Sequence, residues 1–145
     1  KTKKYEPVSS IQTISNAMDV GDPSNFIRIL EIFSNNLDHL QKNLSSFSFN
    51  DVQTRTAINE VYVKTGYVLD PHGAVGYLGL KKFLENHNNY YGVFLETAHP
   101  VKFLETVEGV LKTRIPLPSE IRALSEKDKK SVQISSYDHL KSFLI

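Results

Sequence analysis

Apolar residues along this chain recur mostly at helical spacing, and three segments share one arrangement. Asp22-Pro23 precedes Phe26, Ile29, Leu30, Phe33 and Leu37. Asp70-Pro71 precedes Ala74, Val75, Leu78, Phe83 and Leu84, and His99-Pro100 precedes Val101, Leu104, Val107, Val110 and Leu111. In each, a side chain able to accept an N–H bond stands at the cap. Proline, whose missing N–H is no loss there, stands first in the helix. A further helix is predicted from about Asp51 to Lys64, with Val52, Ala57, Ile58, Val61 and Tyr62 inward and Gly66 as its stop. Asn36 to Leu44 either continues the first helix or forms a short one. Short helices are predicted from Ser119 to Leu124 and from Tyr137 to Leu144, the last docking through Leu140, Phe143 and Leu144. Asn86-His87-Asn88-Asn89 is a loop by composition, and Ile115-Pro116-Leu117-Pro118 an extended linker.

One segment departs from the helical pattern. Tyr90 to Glu96, built on the apolar run Gly92-Val93-Phe94-Leu95, is predicted as a strand. It runs directly into Glu96, Thr97 and His99, three polar groups at the end of a core element. A lone strand cannot satisfy its backbone, so partners are required. They are either short strands at Ile11 to Ile14 and Val132 to Ile134, or residues upstream of this chain. The opening Lys1-Thr2-Lys3-Lys4, without an initial Met, favours the second, and the chain is expected to be a piece of a longer protein.

Composition narrows the function classes. A chain of 145 residues supports one ordinary core. With 17 Lys and Arg against 16 Asp and Glu, there is no basic excess for nucleic acid or an anionic membrane surface. The run Glu126-Lys127-Asp128-Lys129-Lys130 mixes signs and is expected to be a solvated turn. Cysteine is absent, which excludes disulfides, thiolate metal sites and thiol catalysis. No stretch approaches the length of a membrane span. His72, His99 and Asp70 lack metal-ligand spacing, so no metal is expected.

Three stretches carry a resemblance. Ser15-Asn16-Ala17-Met18-Asp19-Val20-Gly21-Asp22-Pro23-Ser24-Asn25-Phe26, Asp70-Pro71-His72-Gly73-Ala74-Val75-Gly76 and Leu95-Glu96-Thr97-Ala98-His99-Pro100-Val101-Lys102-Phe103 resemble threonine synthase signatures, in the family's order and at similar spacing. The resemblance runs from about Thr13 to Ile121. It implies an α/β, helix-rich fragment of a tryptophan-synthase-β-like, fold type II enzyme that uses pyridoxal phosphate. It also implies a division into 1–112, the C-terminal portion of the catalytic region, and 113–145, a linker and helical tail. The implied reaction takes O-phospho-L-homoserine and water to L-threonine and phosphate in the cytoplasm. The lysine that anchors the cofactor lies upstream in this family, so no catalytic lysine is expected here. The fragment alone is expected to be inactive, its partner being the upstream part of its own chain. Two alternatives stay open at this point: another fold type II lyase or dehydratase, and a non-catalytic α/β interaction module.

The site residues follow from the same resemblance. Thr97 matches the position whose hydroxyl meets the pyridine nitrogen of the cofactor. A hydroxyl donates one hydrogen bond to an unprotonated nitrogen and, unlike a carboxylate, does not stabilise a pyridinium. Without the family, Thr97 is a turn residue at a strand end. Asp70 is first a helix cap, though its segment falls beside the cofactor ring in related enzymes. His72, on the first helical turn, is placed to reach into the site from the helix N-terminus, and Asp70, His72 and Gly73 are candidate cofactor contacts beside Thr97. Gly73 is unexplained by helix propensity, where glycine costs up to about 1 kcal/mol, and implies a close approach by a ligand or backbone. Asn16, Asp19 and His99 are candidate active-site-wall residues, His99 being otherwise a cap and packing residue.

Overall fold

The computed structural model describes residues 5–87, 89–125 and 127–145. The first four residues, Asn88 and Glu126 lie outside these, and with them parts of the loop expected at 86–89 and the turn expected at 126–130. Among the described residues seven α-helices form: α1 (Phe26–Ile32), α2 (Leu37–Asn43), α3 (Asp51–Thr65), α4 (Pro71–Leu84), α5 (Leu104–Leu111), α6 (Ser119–Ser125) and α7 (Tyr137–Leu144). Short 3₁₀ turns occupy Asn16–Met18 and Pro100–Phe103. The chain divides into two compact units, Lys1–Ile115 and Pro116–Ile145.

Local chemistry sets the helix ends. α3 opens with a reciprocal capping box: Asn50 accepts from Gln53 N at 3.0 Å, and Gln53 accepts from Asn50 N at 2.9 Å. It closes on Gly66, whose left-handed φ of 74° lets its N–H reach Tyr62 O at 2.8 Å. α4 has the expected Asp70 cap and Pro71 start. His99 caps the 3₁₀ turn ahead of α5, its Nδ1 accepting from Val101 N at 3.1 Å. The first Asp-Pro pair behaves differently. Asp22 does not cap α1, which begins three residues beyond Pro23 after Asn25; Asp22 accepts instead from the Tyr5 hydroxyl at 2.8 Å. Ser34 and Asn35, at φ 51° and 54°, break the chain after α1, so Leu37–Asn43 is a separate short helix.

The core of the first unit lies among α3, α4 and α5. Ala57, Ile58, Val61, Leu69 and Ala74 are buried together, with Tyr77, Leu78, Phe94, Val110 and Leu111 packed on them. Full burial of a side chain such as Ile58 or Leu69 stabilises by about 1.5–3 kcal/mol, so these few positions carry most of what fixes α3 against α4. In the second unit Leu140, Phe143 and Leu144 are exposed. A unit of this size buries too little apolar surface to hold a helix by packing alone.

The strand expected from Tyr90 to Glu96 does not form, and neither do those at Ile11 to Ile14 and Val132 to Ile134; the described residues contain no strand. Instead the segment runs along α4 with a period of two. A Cβ on Gly92 would strike Leu80, Phe94 packs beside Gly76 and meets Tyr77 with ring centroids 5.9 Å apart, and Glu96 abuts Gly73. Between them, Tyr91, Val93 (87% exposed) and Leu95 (77% exposed) face away. The alternation of a strand is present, while the ladder that would define one has no partner among the described residues.

Candidate functional site

The polar end of that segment meets the start of α4. Asp70 is fully buried, and its carboxylate is the cap: Oδ1 accepts from His72 N at 2.8 Å and Oδ2 from Gly73 N at 3.3 Å. The same Oδ1 lies 2.7 Å from His72 Nδ1. From the other side, Asp70 N donates to Glu96 Oε1 at 3.3 Å. Gly73 is required here, because a Cβ at that position would collide with the Glu96 carboxyl. The close approach expected at Gly73 is therefore that of a side chain. His72 is held on a second face by Phe103, with ring centroids 4.7 Å apart.

The two acids differ in charge. Burial opposes ionisation of Asp70, but the neighbouring Glu96 carboxyl and hydrogen bonds from the His72 backbone and ring and from Gly73 N together hold its carboxyl below the ordinary value. Burial and the neighbouring Asp70 carboxylate push Glu96 up to about 7, against the lowering effect of the Asp70 N–H. An ionised Asp70 cannot donate, so His72 Nδ1 carries the hydrogen of their bond. In the uncharged ring, His72 Nε2 then offers a lone pair. That Nε2 and Glu96 Oε2 are both buried and have no hydrogen-bond partner among the described residues. A buried orphan of this kind costs about 1–3 kcal/mol, which a ligand or further protein group would relieve.

Thr97 belongs to the outward set of the alternation, on the side of Val93 and Leu95. It is exposed, and its hydroxyl bonds to none of the described residues. His99 is exposed and occupied as a cap. Asn16 and Asp19 are not brought to this cluster by any hydrogen bond or ring contact among the described residues. Asp19 accepts from Thr13 N and Thr13 Oγ1, each at 2.7 Å, and closes its own loop. Ile14 N ties that loop to Asp51 at the start of α3 at 3.2 Å. Glu96 is the group that sequence reasoning left out. Two signals pointed to it: a carboxylate ending an apolar run, and a glycine on the first turn of a helix. A separate cavity of about 160 Å³, lined by Leu30, Phe33, Asn35, Asn36, Leu37 and Leu40, holds no titratable side chain. It offers nothing comparable chemically.

Among known proteins, the family model described as "Threonine synthase, C-terminal" matches residues 73–144. The threonine synthase of Buchnera aphidicola from Acyrthosiphon pisum is 40% identical over 97% of this chain and 32% of its own length. The crystal structure of threonine synthase from Escherichia coli superimposes with a TM-score of 0.83 at 33% identity, covering 99% of this chain and 33% of that one. That of the PLP-bound threonine synthase from Brucella melitensis gives 0.69 at 25% identity, over 97% and 35%. The chain spans about a third of the length of these relatives.

Proposed function

The chain belongs to the threonine synthase family, and on that premise we propose that it supplies the C-terminal third of an enzyme converting O-phospho-L-homoserine and water to L-threonine and phosphate. The observation that carries this is the match to threonine synthases over nearly the whole chain in both sequence and backbone. The fold proposed for the entire protein is the tryptophan-synthase-β-like, fold type II arrangement, with residues 1–112 in the catalytic region and 113–145 as linker and tail. Its anchoring lysine lies in the upstream part, and the cytoplasm is its compartment.

The residues present suit pyridoxal phosphate. The Thr97 hydroxyl and the His72 Nε2, neither bonded to any of the described residues, are polar groups able to meet a heteroaromatic ring and its substituents. When bound, the cofactor supplies an electron sink for carbanion chemistry at the substrate's Cα and Cβ. Thr97 would donate to the pyridine nitrogen and leave it unprotonated, giving a milder sink that limits side reactions. Asp70 would hold His72 in one tautomer, with Nε2 as hydrogen-bond acceptor. Val93 and Leu95, on the same side as Thr97, would pack against the upstream part and exclude water.

Expression of the complete protein tests this. Purified with pyridoxal phosphate, it is expected to release phosphate and L-threonine in equal amounts from O-phospho-L-homoserine. A folded, cofactor-loaded protein that deaminates serine or threonine and leaves that substrate untouched would overturn the assignment in favour of a dehydratase.

A further inference from the structure

Neither packing nor the contact proposed for Thr97 explains Glu96. Its side chain turns inward at the start of α4 and fills the place where a Cβ of residue 73 would stand. Glycine at that helical position costs about 1 kcal/mol relative to alanine, so the notch has a destabilising effect that the carboxyl offsets. Oε1 of Glu96 fastens the Asp70 backbone at 3.3 Å. Asp70 in turn fastens His72 twice, at 2.8 Å through its N–H and at 2.7 Å through Nδ1.

We propose that Glu96 is a positioning residue for the reaction: seated in the Gly73 notch, it fixes the Asp70–His72 pair and so holds His72 Nε2 for a polar group of the bound phosphate-bearing substrate. The inference rests on the threonine synthase activity proposed above. The titratable groups nearest in sequence to this contact are Asp70 and His72 at the start of α4, and His99 and Lys102 at the cap and on the 3₁₀ turn; Tyr77, Lys81 and Lys82 lie further along α4. Of these, Asp70 is the one bonded to Glu96 among the described residues. With Glu96 raised to about 7, its ionisation sets a second negative charge against Asp70 and expels the carboxyl from the notch. Catalysis by the pair is therefore lost on the alkaline side.

The test uses the full-length enzyme. Wild type should show an alkaline fall in kcat/KM, and Glu96→Gln, which keeps the shape and remains neutral, should move that fall to higher pH. Glu96→Ala should lower kcat about tenfold with little change in KM, since about 1.4 kcal/mol of transition-state stabilisation is lost. Gly73→Ala should lower it similarly, and Gly73→Ala with Glu96→Ala should be no worse than either alone, because the colliding partner is gone. A readout independent of turnover is the infrared difference between cofactor-free wild type and Glu96→Gln. A protonated-carboxyl band titrating near 7 is expected in wild type, and Gly73→Ala should lose it. An unshifted pH profile in Glu96→Gln, additive losses in the double variant, or no such band would each overturn the proposal. If wild type makes no threonine, the proposed function falls by itself, and the infrared titration alone then decides whether Glu96 sits in the notch as a neutral group.

Discussion

At the scale of single residues, the alternation along α4 decides which side chains can serve a ligand and which serve the helix. Glu96 and Thr97 are adjacent, yet one turns to Gly73 and the other to the open side. A role for Thr97 thus depends on its hydroxyl and on little else. In the full-length enzyme Thr97→Val keeps shape and removes the donor. A neutral hydrogen bond contributes about 1 kcal/mol and an orphaned partner costs about 1–3 kcal/mol, so threonine formation should fall about tenfold to a hundredfold. Thr97→Ser keeps the donor and should be much milder. Equal, near wild-type rates for Val and Ser would reduce Thr97 to a turn residue. Sequence alone could single out Thr97 only through the family, since hydroxyls at such positions are usually turn-formers. Asp70 and Gly73 were legible more directly, one as a cap before proline and the other as a glycine where none should be. That Gly73 faces Glu96 was not legible, because it depends on the register of a segment more than twenty positions away.

At the scale of elements, capping signals translated well where the chain had packing to support them. Asp70-Pro71 starts a helix that buries Ala74 against Ile58 and Val61, whereas Asp22-Pro23 precedes a short helix with no buried residue and is drawn to Tyr5. The cap at Asp70 is expected to matter more than an exposed one. Asp70→Ala removes a cap, worth about 0.5–2 kcal/mol, and strands the buried His72 Nδ1. A local loss of roughly 2 kcal/mol should appear as about thirtyfold faster amide exchange at His72, Gly73 and Ala74. Asp70→Asn, still an acceptor, should lose less, and equal losses would show that charge and not hydrogen bonding holds the turn. The same turn should respond to pH. Asp70, lowered from its ordinary value, stabilises the fold above the normal aspartate range, and that stability is lost as pH falls through its folded value. Glu96, raised from 4.5 to about 7, contributes fully below 4.5, and its contribution is lost as pH rises through about 7. The thermal midpoint of wild type relative to Glu96→Gln should therefore decline between those two values. A flat difference would mean that Glu96 ionises normally.

At the scale of the molecule, the α/β reading from sequence met a described structure of helices only, and the cause is physical. A strand exists through its ladder, and Tyr90 to Glu96 has the side-chain alternation without a neighbour to bond. The chain spans about a third of its relatives, and the outward side of that segment, at Tyr91, Val93 and Leu95, is exposed. The cofactor should share this dependence. Without the upstream lysine and phosphate-binding loop of the proposed full protein, the isolated chain should give no saturable visible absorption change on titration with pyridoxal phosphate. A change reversed by a carbonyl reagent and mapped to one of its own lysines would overturn that. The uncovered surface itself makes the last prediction. Tyr91, Val93 and Leu95 stand exposed on backbone that pairs with none of the described residues, and Tyr90 beside them is exposed as well. Exposed edges and apolar patches of this kind are relieved by pairing with another copy. The isolated chain is expected to self-associate, and sedimentation over a broad concentration range should show species that grow with concentration and bind an apolar dye. Replacing Val93 and Leu95 with lysine places charge on the outward positions and leaves Phe94 and Glu96 against α4, so it should shift the population toward monomer. If the unsubstituted chain is strictly monomeric and binds no dye, that face is not the surface on which the rest of the protein packs.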